Sequence, residues 1–545
     1  MLLGDAPLGD RPFGDFDTTY SEAVADALEA LLAEPWRLRS WWLRALPRDG
    51  AGEVALDLST DGHKTFPTDA EEIQLPEALV KPYSVTFGLP ANQLWGMAEM
   101  SEGAIVVGNR GTQSSFKWTY LADLNWVGRQ AAVYVGPRGG RQAQFARVAQ
   151  LITRQVQWDR SSLSLIVDDH GFLFDRQVQP TLYAGTGGLE GDDSIKGRPK
   201  PLLFGRVPRF EPVVVDGPNR IYQLNDGSMQ AVDFVQDKGI ALSFNANVAD
   251  ITASVPPAGT YNTSLATGYI RLGSTPIGTV TCAARGHAGS TYGYVDTAAG
   301  LVKLLGVVFA GLADPGELDG AAFAVLAAYT AVVGHYTGTE PATIRDVVNA
   351  VLSSTASWAW LRPDKVLTVG RLTDPDTTTP EFTLDSAADQ IRISPWEIQP
   401  WEVPVWRVRV GFKRYWRVMS DSDLAGAVPE ETRRDYAEEY RYVTAKDDAT
   451  LADTPDAADI TILTQLYAEA DAQALADAQL ALRKVPRRHF KFAPRIGLIQ
   501  RGIGSVFELA DDHLPTTPKR WVVVGVVNEA ETDGNEDQIV WTCFG

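Results

Sequence analysis

Cysteine is almost absent: Cys282 and Cys543 are the only two among 545 residues. They stand far apart, and neither has a second cysteine two residues away. A disulfide framework and a cysteine-held zinc or iron–sulfur site are therefore not expected, and a reducing cytoplasm suits the chain. Cys543 lies in an apolar run and reads as a small core residue of a strand. Histidine is scarce too. His63, His170, His287, His335, His489 and His513 stand singly, with no His-Glu-x-x-His pair.

Positive charge is in deficit. Lys and Arg total 49 against 69 Asp and Glu, a net charge of -20. Such a surface repels phosphate, which argues against sequence-specific nucleic-acid binding. It suits a wall past which DNA slides without sticking; plain solubility is the blander reading of the same charge. Long apolar runs are also missing. The most apolar region, 300–334, is broken by Lys303, Asp314, Glu317 and Asp319. That falls short of the ~20 apolar residues of a membrane helix. The start, Met1-Leu2-Leu3-Gly4-Asp5, lacks the basic opening and apolar core of a secretion signal. The expectation is a soluble product with no membrane span, leaving the cell by lysis or within a particle.

Catalytic motifs are wanting as well. Asp168, Asp169 and His170 follow a strand and are the best local candidates for a catalytic cluster, but Asp is common in such turns for backbone reasons. Gly289-Ser290-Thr291-Tyr292-Gly293 approaches a nucleophile elbow with Thr where Ser is required. Gly185-Thr186-Gly187-Gly188 resembles a phosphate loop without its spacing or its Gly-Lys-Ser/Thr ending. Asp192-Asp193 and Asp533-Gly534-Asn535-Glu536-Asp537 miss the ligand spacing of a calcium loop and read as exposed acidic turns. No catalytic, cofactor-binding or metal-binding residue is assigned, no cofactor is expected, and the chain is read as no enzyme.

What is present is strand-forming text. The hydrophobic share is 45% and the charged share 22%, enough apolar mass for several cores. Residues 18–34 carry Val24, Ala27, Leu28, Leu31 and Leu32 at helical spacing, and Pro35 ends them. Trp36, Trp41 and Trp42 follow, as a core strand or, less simply, a contact surface. From 51 to 167, short apolar runs at 83–87, 104–107, 131–135 and 162–167 are separated by Gly, Pro, Asn or Asp. In the last run Leu163, Leu165 and Val167 share one face. Residues 183–218 are rich in Gly and Pro and read as a boundary. A second β-rich stretch covers 221–282. Helices are expected at 302–312, 321–333 and 343–354, the last with Thr343 and Asp346 as a capping box. A strand follows at 366–369. Beyond 403, Trp406, Val408 and Val410 alternate with Arg407 and Arg409. A helix is expected at 462–484, with Leu463, Leu466, Tyr467, Ala470, Ala474, Ala478 and Leu482 as its buried stripe. Two closing strands, 521–527 and 538–544, would flank a hairpin tip at Asp533-Gly534-Asn535.

The order of several motifs carries a resemblance. Leu124-Asn125-Trp126-Val127-Gly128-Arg129, Lys196-Gly197-Arg198-Pro199-Lys200-Pro201-Leu202-Leu203-Phe204-Gly205, Tyr222-Gln223-Leu224-Asn225-Asp226-Gly227, Gly268-Tyr269-Ile270-Arg271-Leu272-Gly273, Thr343-Ile344-Arg345-Asp346-Val347 and Pro404-Val405-Trp406-Arg407-Val408 occur in succession. From about 125 to 545 this succession resembles the tail tip, or baseplate hub, proteins of long-tailed phages; the first ~120 residues match loosely. The resemblance implies a mainly β fold with minor α, of several domains. Two are tail-tube-like β-barrel or sandwich domains and the others additional hub domains. The expected division is 1–215, 216–300, 301–402 and 403–545. It implies a homotrimer in the virion tail tip, partnered by the distal tail protein ring, the tape-measure protein and a central tail fibre or spike. Some relatives hold a cysteine-ligated iron–sulfur cluster, which two distant cysteines do not supply. The fibre is expected to be a separate polypeptide. The alternative is a tail-associated carbohydrate-binding or hydrolytic receptor-binding protein, with Trp36, Trp41, Trp42, Trp396 and Trp401 as sugar-stacking candidates.

Overall fold

Period-two burial builds most of this chain. The computed structural model describes residues 39–64, 73–90, 94–109, 118–289, 291–386, 392–494, 498–499, 501–514, 518–530 and 538–545. In the strand Ser162–Asp168, Leu163, Leu165 and Val167 are buried and the residues between them half-buried, as the alternation predicts. The expected runs at 83–87, 104–107 and 131–135 lie inside the strands Leu79–Gly88, Glu99–Gly108 and Gln130–Pro137. The expected helix 18–34 and Trp36 lie outside the described residues.

These strands enter one 13-stranded sheet. Its order is Leu56–Ser59, Arg39–Ala45, Gln130–Pro137, Ala146–Trp158, Ser162–Asp168, Glu99–Gly108, Leu79–Gly88, Lys519–Ala530, Gln538–Phe544, His489–Ala493 and Arg392–Ile398. Val506–Ala510 joins at Lys519–Ala530 and pairs in parallel with Phe382–Asp385. The first seven strands form an N-terminal module and the rest a C-terminal one. Both sets of side chains enter one hydrophobic cluster. Trp41, Tyr83 and Phe87 meet Phe490, Phe507, Trp521 and Trp541 there. Cys543 is fully buried in the last strand, in the core role read from the sequence.

Between the modules lie two five-stranded sheets. One orders Ile240–Ala241, Met229–Asp237, Val280–His287, Leu203–Phe210 and Gly334–Tyr336; the other orders Val213–Asp216, Ile221–Gln223, Tyr269–Leu272, Thr260–Ser264 and Ser243–Asn247. The fold is thus mainly β with several sheets and minor helix. The helix expected at 302–312 starts earlier, at Ala298, because Thr297 caps it by accepting the Gly300 amide; from Leu305 to Phe309 it continues as a π turn. The helix expected at 321–333 ends at Ala327. The residues after it are drawn into sheet contacts: the Val333 amide donates to the Asp296 carbonyl and the Arg206 amide to the Val333 carbonyl.

The helix Ile344–Ser353 carries its expected capping box. The Asp346 amide donates to Thr343 Oγ1 at 3.1 Å, and the Thr343 amide to Asp346 Oδ2 at 2.9 Å. Thr343→Ala should cost about 1 kcal/mol, read as a shift in the urea midpoint. An unchanged midpoint would remove the capping box from the account.

The helix expected at 462–484 needs correction. Residues Ala458–Leu463 form a strand, and the helix is Glu469–Arg483. Ile460 and Ile462 pair in parallel with Val408 and Val410 of Val405–Phe412, and this tertiary pairing overrides the local helical spacing. The buried face also differs. Ala472, Leu475, Ala476, Gln479, Leu480 and Leu482 face inward, while Ala470, Ala474 and Ala478 are exposed. The helix still packs on a sheet, that of Val405–Phe412 and Arg441–Lys446, with Ala472 and Ala476 at the contact. In Val405–Phe412, Val408 and Val410 are buried, Arg409 is exposed, and Trp406 and Arg407 are half-buried.

Candidate functional site

The cluster Asp168-Asp169-His170 serves a turn. Asp168 pairs with Arg154 at 2.8 Å. Asp169 is buried and accepts the Gly171 amide at 2.7 Å, as the cap of a short 3-10 turn. Arg345 reaches the same turn, donating from Nη2 to the Gly171 carbonyl at 3.0 Å and pairing with Asp175 at 2.6 Å. That ties the strand end to the helix Ile344–Ser353. His170 is buried and bonds the Gln150 backbone. Burial, then the nearby Lys365 and Arg147, push its pKa down to about 4. Burial pushes that of Asp169 up to about 6.

These shifts give a pH prediction of definite sign. Neutral His170 is favoured by folding, so its contribution is present above its unfolded pKa near 6.5 and is lost as pH falls toward 4. Asp169 works oppositely: its contribution is present below about 3.8 and is lost as pH rises through about 6. His170→Gln should flatten the fall in stability below pH ~6.5 by roughly 2–3 kcal/mol. Asp169→Asn, which keeps a cap acceptor, should gain on the natural protein above pH ~6. Urea midpoints from pH ~4.5 to ~8 test both, and parallel curves for all three proteins would refute the assignment.

The other motifs read from the sequence are also held in local structure. Gly185 donates its amide to the Glu190 carbonyl and Gly187 donates to Gly191, closing a turn. Asp192 accepts from the Ser194 amide and hydroxyl, which accounts for that acidic turn. In the stretch 289–293, Ser290 lies outside the described residues and Tyr292 donates its hydroxyl to Asp314 at 2.6 Å. The acidic stretch 533–537, with the hairpin tip, lies outside them too. Among the described residues no three His, Cys, Asp or Glu side chains converge as a metal site would require. A cleft of about 760 Å³ opens beside the helix Gly320–Ala327, lined by Tyr329, Trp358, Trp360, Arg371, Glu381 and Arg501. Arg371 lies over the Tyr329 ring at 3.9 Å and donates to the Thr355 carbonyl, and Arg501 lies 3.5 Å from Glu381.

The tryptophans sort differently from a sugar platform. Trp41 and Trp42 are 3% and 1% exposed. Trp42 stacks on Tyr134 at 4.7 Å and donates Nε1 to Asp57 at 2.8 Å. The core-strand reading holds for both, and replacing them would test folding, not adsorption. Trp401 is different, being 53% exposed. The ring of Trp396 lies outside the described side chains.

The N-terminal and C-terminal modules meet at a seam. Leu79–Gly88 and Lys519–Ala530 pair antiparallel, from Gly88 opposite Gly525 to Tyr83 opposite Ala530. The Leu89 amide extends the seam to the Val524 carbonyl at 3.0 Å. Phe87, on the seam, meets Trp360 edge-on at 5.7 Å, so the seam also grips the middle of the chain. No sequence signal announced it, because its halves come from opposite ends of the chain.

No family model matches this sequence, and no curated protein does. Solved structures align over most of it. A tail protein from Neisseria meningitidis aligns at a TM-score of 0.38 and 12% identity, over 92% of this chain and 96% of that one. A tail protein of a Shewanella oneidensis prophage aligns at 0.35 and 8%, over 92% and 98%. A chain of a gene transfer agent virion aligns at 0.40 and 14%, over 64% and 84%. Over most of its length, then, this chain is similar to solved tail proteins, one of them from a prophage, and over 64% of it to a chain of a gene transfer agent virion.

Proposed function

We propose that this chain is the structural hub at the tip of a long phage tail and performs no catalysis. The observation that carries the reading is the seam: one polypeptide holds two β modules joined edge to edge in a single sheet. Three such chains about one axis supply six module positions around a pore, which suits docking under a sixfold ring and onto a threefold fibre. On this reading the division 1–215, 216–300, 301–402 and 403–545 separates two tube-like parts from the hub parts between them. The ring ends the tail tube, joins the distal tail protein to a central fibre, meets the end of the tape-measure protein and lets DNA pass at ejection. The net charge of -20 keeps DNA from adhering to it.

The test is a low-resolution image of the particle carrying a labelled copy of this chain. Three labels about the axis at the tail tip are expected. Label along the shaft, or on side fibres alone, refutes the placement. The exposed Trp401 favours the alternative of a glycan-binding tail protein, which predicts that Trp401→Ala abolishes adsorption to cells while particles assemble normally.

A further inference from the structure

An acidic chain carries one strongly basic run. Between Leu482 and Phe492 stand Arg483, Lys484, Arg487, Arg488 and Lys491, with no acid among them. Most of this charge is answered inside the fold. Lys484 pairs with Asp447 at 2.9 Å, Arg487 with Asp374 and Asp376 at 2.8 Å each, and His489 faces Glu402 at 3.1 Å. Lys491 lies 4.0 Å from Glu397.

Arg488 is not answered. Its guanidinium sits 3.9 Å from the centre of the Trp401 ring, and Lys519 Nζ approaches the same ring at 5.6 Å. Among the described residues neither cation has a carboxylate within ion-pair distance. Arg488 is 9% exposed and its Nε is buried without an acceptor. Burial, with Arg488 and Arg487 nearby, holds Lys519 below the ordinary lysine range, although Asp376 opposes this. Such a pair is costly in isolation and gains from an incoming negative charge. Trp401 is about half exposed, as are Val403 and Val485, which stand a few residues from Trp401 and Arg488 in the chain. A half-exposed tryptophan flanked by cations is the composition of an interface centre, and ordinary solvated surface seldom has it.

The patch also stands at a special place in the fold. Trp401 follows Arg392–Ile398, the last strand of the 13-stranded sheet, whose outer edge pairs with no strand among the described residues. The opposite end of the sheet is Leu56–Ser59. Around it, from Asp49 to Gly62, stand Asp49, Glu53, Asp57 and Asp61 with no base. Asp57 is engaged by Arg44, Glu53 by Arg129 and Asp61 by Arg138. Asp49 accepts the backbone amides of Ala51 and Gly52, and among the described residues no cation pairs with it.

We propose that the Trp401–Arg488–Lys519 patch seats a second copy of this chain, which brings its acidic 49–62 edge against it. The inference rests on the ring reading above and supplies its contact. Successive copies then meet basic end to acidic end. This is a head-to-tail contact that closes when the rotation per copy is a whole fraction of a turn. It sets the last strand of the sheet in one copy beside the acidic end of the sheet in the next.

The experiment is sedimentation velocity with native mass spectrometry on the full chain, at low and high salt. The natural protein should form a closed oligomer that salt weakens, since the contact is electrostatic at its rim. Lys519→Glu and Trp401→Ala should each weaken assembly by about tenfold or more. Both positions are accessible, and melting curves matching the natural protein certify that the variants fold. Asp49→Lys should weaken assembly alone and restore it in the Lys519→Glu background. A natural protein that stays monomeric through the micromolar range overturns the proposal. So do folded variants that assemble like the natural chain, or a Trp401→Ala protein that loses glycan binding while assembling normally. Failure here with the label still at the tail tip rejects this contact alone; label elsewhere rejects the hub reading itself.

Discussion

Gly205→Ala should leave little folded protein. Gly205 sits in the strand Leu203–Phe210 with φ at +63°, a backbone region that costs other residues about 1–2 kcal/mol. The conformational term is the smaller part. A Cβ on Gly205 would lie 1.9 Å from the carbonyl oxygen of Val333, on the neighbouring strand. Across the pair stands Gly334, where a Cβ would lie 1.9 Å from the carbonyl of Arg206. The two backbones cross too closely for any side chain, and neither can retreat. Val333 is fully buried, its amide donates to Asp296, and its carbonyl accepts from Arg206. Relief would require moving a strand against the helical core, so a loss of at least ~4 kcal/mol is expected. Gly188→Ala is the control. Gly188 has φ of +60° but open space around its Cβ position, so only about 1 kcal/mol should be lost. Denaturant midpoints of the two variants test this; a Gly205→Ala protein as stable as the Gly188→Ala one would refute the crossing.

The crossing was visible in the sequence only as a glycine in Leu202-Leu203-Phe204-Gly205, one of many. Local signals fared better. The alternation at Leu163, Leu165 and Val167 and the capping box at Thr343 both fell where the sequence placed them, because each is decided within a few residues. The helix expected at 462–484 went wrong where local spacing and tertiary pairing disagreed. Leu463, Leu466 and Leu482 fit a helical period, yet Ile460, Ile462 and Leu463 are claimed by a strand some fifty residues earlier. The module seam and the Trp401 patch were illegible for the same reason. Each joins residues from distant parts of the chain, and no periodicity records that Lys519 and Arg488 flank one ring. The basic run 482–492 could be seen, but which of its charges stay unanswered depends on Asp374, Asp376, Asp447 and Glu402.

Arg209→Ala should cost about 3–5 kcal/mol, and the loss should be felt first in the segment 415–437. Arg209 is 1% exposed and has no carboxylate partner among the described residues. Its charge is spread over neutral groups. Nη1 donates to Thr281 Oγ1 at 2.9 Å and Nη2 to Gln236 Oε1 at 2.8 Å. The guanidinium lies 3.5 Å from the centre of the Tyr436 ring and 5.2 Å from that of Tyr415. Burial lowers its pKa, and the two tyrosines partly oppose this. Arg441 covers Tyr415 at 3.5 Å and pairs with Asp435, which also accepts the Tyr415 hydroxyl at 2.8 Å. The side chain therefore clamps a small lobe, with Met419, Leu424, Val428 and Tyr436 at its core, onto the sheet of Leu203–Phe210 and Val280–His287. Alanine leaves a cavity and removes the donors to Gln236 Oε1 and Thr281 Oγ1. Arg209→Met fills the volume but not the hydrogen bonds, so about half the loss should return. Hydrogen exchange decides between a clamp and a general core residue. The Trp416 amide, bonded to the Arg209 carbonyl, and the Met419 amide, bonded to the Tyr436 carbonyl, should exchange faster in Arg209→Ala. Amides across the module seam should keep their protection until global unfolding. Faster exchange spread evenly over both regions would mean that Arg209 supports the whole core, and the clamp on this lobe would be refuted.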